Sequence, residues 1–226
     1  MISIAIDGPS GAGKSSMARR LAAELGYTYV DTGAMYRAIG LYALRQDKDP
    51  HEEAQVVPLL PEIELGIELQ QGVQHIFLNG EDVSEAIRTE ACGMAASAVA
   101  AHPAVRSFLL ETQRGLARRQ NVLMDGRDIG TVVLPDATVK IYLTASAQAR
   151  AARRQAELVA KGQAADFATV LADIEQRDYQ DSHRAVAPLR QAEDAVLVDT
   201  SEIGIEESFA LLKRTILQQL GTETAE

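Results

Sequence analysis

Short apolar runs recur along the chain at residues 2–7, 27–30, 122–125, 139–143 and 195–199. Each is four to six residues long and rich in Ile, Val, Leu, Met or Tyr, which suits a buried strand better than a helix. Longer stretches with helical spacing lie between and after them. Residues 14–25 repeat Met17, Leu21 and Leu25 and stop at Gly26. Residues 33–45, 146–161 and 205–220 read as further helices, as do residues 167–181 with the stripe Phe167, Val170, Leu171 and Ile174. Strands that alternate with helices and are apolar throughout predict an α/β fold. Its centre is a five-stranded parallel sheet with helices on both faces.

Residues 60–105 break this rhythm. Residues 63–69 and 74–78 alternate around Gln71-Gly72, and Asn79-Gly80 is a hairpin turn signal. A small antiparallel sheet is expected here, followed by Ala-rich helices at 90–101 and 105–119. The whole reads as an insertion into one α/β domain. No internal repeat or long linker divides the chain.

Between the first run and the first helix, Gly8-Pro9-Ser10-Gly11-Ala12-Gly13-Lys14-Ser15 matches G-x-x-x-x-G-K-S/T. Glycines let the backbone curl so that successive N–H groups face phosphate oxygens. Lys14 brings a cation to the β- and γ-phosphates, and Ser15 offers a hydroxyl to Mg2+. The helix that opens at Lys14 aims its positive end at the same point. This predicts a nucleoside triphosphate site without fixing the reaction. Asp125 ends an apolar run and reads either as a carboxylate behind the metal or as a strand-end cap. Neither N-K-x-D nor D-x-x-G occurs, so guanine recognition is unsupported.

Composition narrows the classes. The net charge of −10 argues against a broad electrostatic grip on nucleic acid. One Cys and four His exclude a disulfide framework and a Cys-rich metal cluster. No apolar run reaches the ~18 residues of a membrane span, and the first residues lack a basic segment, so a cytoplasmic protein is expected. Within the basic residues, Arg outnumbers Lys 17 to 5. The guanidinium fork binds phosphate at two points, so position decides what this bias means.

Several arginines fall where an α/β sheet places ligands. Thr32-Gly33-Ala34-Met35-Tyr36-Arg37 follows the second strand, and Gly126-Arg127-Asp128 follows the third. Arg150, Arg153 and Arg154 share one helix face and repel unless an anion or water neutralises them. Arg177, Asp181 and Arg184 continue a polar face past the stripe of the next helix. Together these arginines are expected to converge on phosphates over the loop.

The chain resembles the bacterial cytidylate kinases, within the nucleoside monophosphate kinases. The resemblance runs from about residue 2 to 220. It rests on Ile6-Asp7-Gly8-Pro9-Ser10-Gly11-Ala12-Gly13-Lys14, Asp31-Thr32-Gly33-Ala34-Met35-Tyr36-Arg37, Asp125-Gly126-Arg127-Asp128-Ile129-Gly130-Thr131-Val132-Val133 and Arg184-Ala185-Val186-Ala187-Pro188-Leu189. It implies MgATP-dependent phosphorylation of CMP and dCMP, with ATP held by Gly8 through Ser16. Arg37, Arg127 and Arg184 would hold the acceptor phosphate beside Thr32. Ser97, Arg106 and Asp128 match positions that read cytosine, and Arg177 and Asp181 lie near its phosphate and sugar. Lys14, Arg127, Arg184 and the lid arginines Arg150 and Arg154 would stabilise the transferring group. Some members carry G-K-G-T where this chain has Lys14-Ser15-Ser16, which leaves open whether Ser15 or Ser16 meets Mg2+.

By the same resemblance, residues 1–31, 106–149 and 166–226 form the core, 32–105 the monophosphate-binding region and 150–165 a lid. A monomer with no nucleic-acid or membrane partner is expected. Two other readings stand beside this one: a kinase of AMP or a hydroxylated metabolite, and a regulatory module that couples ATP state to a partner.

Overall fold

The computed structural model describes residues 1–70 and 73–221, the side chains of 69, 70 and 73 excepted. Its elements run β1 (Ser3–Asp7), α1 (Lys14–Leu25), β2 (Thr28–Asp31), α2 (Thr32–Arg45), α3 (Glu53–Val56) and a 3-10 turn (Val57–Glu62). Then come β3 (Leu65–Gln70), β4 (Val73–Leu78), β5 (Glu81–Asp82), a second 3-10 turn (Ala86–Arg88), α4 (Glu90–Val99) and α5 (Pro103–Arg119). The chain continues through β6 (Val122–Gly126), a π turn (Ile129–Val133), β7 (Val139–Thr144), α6 (Ala147–Ala160), α7 (Phe167–His183), β8 (Val196–Asp199) and α8 (Ile205–Leu220). Helix starts follow local capping. The side chains of Asp31, Ser146 and Asp166 accept the N–H groups of Ala34, Ala149 and Thr169.

Five strands form one parallel sheet in the order β2-β6-β1-β7-β8. Period-two alternation sorts its side chains. Ile4, Ile6 and Leu123 pack under α1 and α8 through Met17, Leu21, Phe209 and Leu212. Ala5, Val30, Val122 and Met124 point to the other face and meet α2, α5 and the inserted segment. The expected sheet is therefore present, with one difference. β1 and β6 are buried along nearly their whole length, whereas Leu197 of β8 is 54% exposed. An edge strand needs cover on fewer sides, and a sequence run cannot show which strand is the edge.

The second sheet is antiparallel, in the order β3-β4-β5. The expected turn at Gln71-Gly72 lies outside the described residues. Asn79-Gly80 joins β4 to β5, with both residues at positive φ. Ile63, Ile76, Leu78 and Ile87 share one apolar cluster with Val30 and Met124 of the large sheet. A side chain also ties the two sheets: Gln74 Oε1 accepts the Asp31 N–H at 2.7 Å, and Nε2 donates to the Asp31 carbonyl at 3.2 Å. The amide thus mimics a neighbouring strand on the free edge of β2.

Among the described residues no helix is long and apolar enough to cross a membrane.

Candidate active site

The carboxyl ends of β1, β2 and β6 open into a cleft of about 550 Å3. Its floor is the loop between β1 and α1. Gly8 has φ +149°, and a Cβ there would lie 1.9 Å from the Leu143 carbonyl oxygen, so only glycine fits. Gly13, in the left-handed region, precedes α1 with no side-chain cap. The first N–H groups of α1 therefore remain available to an anion. Ser10, Gly11, Gly13, Lys14, Ser15 and Ser16 line the cleft, while Gly8, Pro9 and Ala12 lie off its lining. Lys14 Nζ donates to the Pro9 carbonyl at 2.7 Å. Burial and the Arg127 charge push the Lys14 pKa well down, against the pull of Asp125, Asp181 and Asp7.

Asp125 gathers the adjacent hydroxyls. Ser15 Oγ donates to its Oδ2 at 2.8 Å, and the Tyr29 hydroxyl donates to Oδ1 at 3.0 Å. Thr32 Oγ1 donates to its backbone carbonyl at 2.8 Å. Burial and the neighbouring Asp31 raise the Asp125 pKa, opposed by Lys14 and these hydroxyl bonds. Ser15, not Ser16, is the loop hydroxyl joined to this carboxylate. Among the described residues no group of three His, Cys, Asp or Glu forms a metal cage. Mg2+ bound mostly by substrate phosphates and water needs none.

The opposite end is built from side chains. The Arg106 guanidinium pairs with the Asp128 carboxylate, and its Nη1 donates to the Ala100 carbonyl at 3.1 Å. Arg127 Nε donates to Asp181 Oδ2 at 2.7 Å. Arg184 lies 3.6 Å from Asp128 and 3.9 Å from Asp181. Its Nη2 is buried without a hydrogen-bond partner. Burial lowers the pKa of Arg177 and Arg184, and neighbouring guanidinium groups lower both further. Arg37, Ser97 and Arg177 complete this wall. Ser97 touches Gln180 at 3.5 Å.

The three arginines of α6 part company. Arg150 is 4% exposed and does not line the cleft. It donates to the Ala145 and Ser10 carbonyls and forms a two-pronged pair with Asp178 at 2.9 and 2.5 Å. Arg154 is exposed beside Glu157 and also stays off the lining. Arg153 is the one that lines the cleft, bonded to the carbonyls of Thr200 and Ile203. Their shared charge is met by a carboxylate each for two of them and by carbonyls for the third.

The model of the family described as cytidylate kinase matches residues 4–218. A cytidylate kinase of Rhodococcus jostii (strain RHA1) is 50% identical over 219 residues, covering 96% of each chain. One from Caldicellulosiruptor bescii is 49% identical over 206 residues, 91% of each. This chain belongs to the cytidylate kinase family. It is therefore a nucleotide-binding kinase that phosphorylates a nucleoside monophosphate. Among solved structures, a shikimate kinase from Bacteroides thetaiotaomicron aligns over 97% of this chain and 98% of its own at 12% identity, with a TM-score of 0.48.

In this member of the cytidylate kinase family, two residues in or behind the cleft were given no individual role from the sequence. Arg153 differs from its neighbours only in its tertiary partners. Asp7 ends an apolar strand, as Asp125 does, and that shared position was the available clue. It lies buried behind the cleft, bonded to the N–H groups of Ile129 and Gly130.

Proposed function

We propose that the protein transfers the γ-phosphoryl group of MgATP directly, in line, to the phosphate of CMP or dCMP, giving the diphosphate. The observation that supports this reading most is a single cleft with the phosphate loop at one end and the buried Arg106–Asp128 pair at the other. Cytosine presents an amino donor beside the N3 and O2 acceptors. Asp128 accepts from the amino group and Arg106 donates to the ring, with Ser97 alongside. UMP reverses that pattern and would leave both buried groups mispaired.

Between the ends, Arg37, Arg127 and Arg184 hold the acceptor phosphate beside Thr32. Arg177 and Asp181 serve its phosphate and sugar. Arg37 and Arg177 suit the task because no hydrogen bond or ion pair among the described residues engages them, and Arg184 keeps a free buried donor. Lys14 and the α1 N–H groups take the donor phosphates within the Gly8–Ser16 loop. Ser15, oriented by Asp125, offers its hydroxyl to Mg2+. When bound there, Mg2+ would supply positive charge to the donor phosphates. Arg154 closes over ATP from the lid, whereas Arg150 would first have to leave Asp178. The acceptor oxygen is already anionic near neutrality, so no general base is required. Catalysis is positioning and charge stabilisation, with water excluded as the lid and monophosphate region close. A single chain in the cytoplasm suffices, with no nucleic acid or membrane.

An acceptor panel of CMP, dCMP, UMP and AMP, read as ADP formed, tests this. CMP and dCMP should turn over fastest, and UMP should fall behind by roughly two orders of magnitude or more in kcat/KM. UMP used as well as CMP would overturn the base assignment. ADP formed equally fast without acceptor would overturn the transfer itself.

A further inference from the structure

Two residues outside the cleft lining grip, from opposite sides, the turn that presents Arg127 and Asp128. Asp7, at the end of β1, accepts the Ile129 and Gly130 N–H groups through its two carboxylate oxygens, each at 2.7 Å. Arg114, on α5, donates through Nε and Nη2 to the carbonyls of Val133 and Val132, both at 3.0 Å. Between these anchors the turn closes its own wide rings: the Val133 and Leu134 N–H groups bond the Asp128 and Ile129 carbonyls. Such i→i+5 turns are rare and concentrate at functional sites. Glycine at 130 permits the grip, since a Cβ there would crowd Asp7 Oδ2 at 3.3 Å and Lys140 Cδ at 3.2 Å.

A carboxylate in this place is expensive for the fold. Asp7 is 4% exposed. Burial pushes its pKa up to about 6, with the nearby Asp128 charge adding to the rise and the two N–H bonds and Lys14 opposing it. A neutral acceptor could take an N–H without that desolvation. What the carboxylate supplies is two fixed, parallel acceptors one residue beyond Asp128, on the strand that leads directly into the phosphate loop.

We propose that Asp7 and Arg114 are positioning residues that lock the 129–133 turn, so that Asp128 meets Arg106 and Arg127 meets Asp181, and that they thereby set acceptor affinity and base choice without touching either nucleotide. This inference rests on the acceptor reading given above. Loss of Arg114 falls on the acceptor and spares ATP, and loss of Asp7, whose charge also supports that of Lys14, falls more heavily on the acceptor than on ATP.

Three variants test it: Asp7→Asn, which keeps one acceptor oxygen, Asp7→Ala, which keeps none, and Arg114→Met on the half-buried far side of the turn. Steady-state kinetics with CMP, UMP and ATP give the readout, and thermal melts check the fold. Asp7→Asn and Arg114→Met should each raise the CMP KM about tenfold and cut the CMP-to-UMP preference by a similar factor, with Asp7→Ala worse than Asp7→Asn. The KM for ATP should stay within about twofold of wild type in Arg114→Met and should rise less than the CMP KM in Asp7→Asn. Folded Arg114→Met with unchanged CMP-to-UMP preference would overturn the proposal even if the Asp7 variants failed to fold. So would Asp7→Asn that raised the ATP KM as much as the CMP KM. Wild type that did not distinguish CMP from UMP would overturn the functional reading, and this one with it. Wild type that discriminates, beside variants that discriminate equally, would overturn this proposal alone.

Discussion

The two ends of the cleft are built by different means. The loop end is mostly main chain: one contiguous stretch, a glycine that tolerates φ +149° and a helix start with free N–H groups. The other end is side chain. Arg37 comes from α2, Ser97 from α4, Arg106 from α5, Arg127 and Asp128 from beyond β6, and Arg177 and Asp181 from α7. Backbone N–H groups bind an anion without carrying a full charge in its absence. Guanidinium groups do carry one, and here the buried Arg106 and the half-buried Arg127 are matched by Asp128 and Asp181. The comparison teaches that function and stability separate at the loop end and are bound together at the arginine end.

Replacing Lys14 should break the first half of that statement most visibly. Lys14→Ala removes the charge proposed to follow the transferring group, and kcat should fall by a factor of roughly 10² to 10³. Stability should hold or rise slightly, because burial and Arg127 already disfavour the ammonium form. Single-turnover kinetics beside urea denaturation would show this. A large stability loss would contradict the separation.

Asp128→Ala should do the opposite. It leaves Arg106 buried with its charge unmatched and places it near Arg184, itself within 3.6 Å of the lost carboxylate. Breaking a buried pair from one side costs about 3 kcal/mol. The urea midpoint of the unliganded protein should move accordingly, before any nucleotide is added. A variant as stable as wild type would show that this pair is solvated and that the acceptor end resembles the loop end after all.

The same contrast governs what could be read from the sequence. The loop is contiguous, so its spacing alone carries its chemistry. The strands were legible because apolar runs buried on both faces have few other uses. β5 was not, since the two residues Glu81 and Asp82 are too few to show a period and are held by pairing with β4. Nor was the π turn at 129–133, whose backbone groups are held by Asp7 from the first strand and by Arg114 from α5. The arginines could be placed at the correct sheet edge, but helical spacing could not separate Arg150 from Arg153 and Arg154. That sorting depends on Asp178, 28 residues away, and on the carbonyls of Thr200 and Ile203. Pairwise tertiary partners leave no local trace.

Arg177 offers the finest test, because it belongs to the charged end yet lacks the match that Arg106 and Arg127 have. It is partly buried, and Arg127, Arg37 and Arg154 all act against its charge, with Asp181 opposing them. Arg177→Met keeps the packing of the side-chain stem and removes the repulsion. The unliganded protein should then change by no more than about 0.5 kcal/mol, in the stabilising direction. Binding should move the other way, since that guanidinium is available to an incoming phosphate, and CMP should protect the variant against thermal unfolding less than it protects wild type. A melt series with and without CMP reads both effects from the same samples. A variant that is destabilised without ligand, and protected as well as wild type with it, would show that Arg177 is held by the fold rather than kept for the substrate.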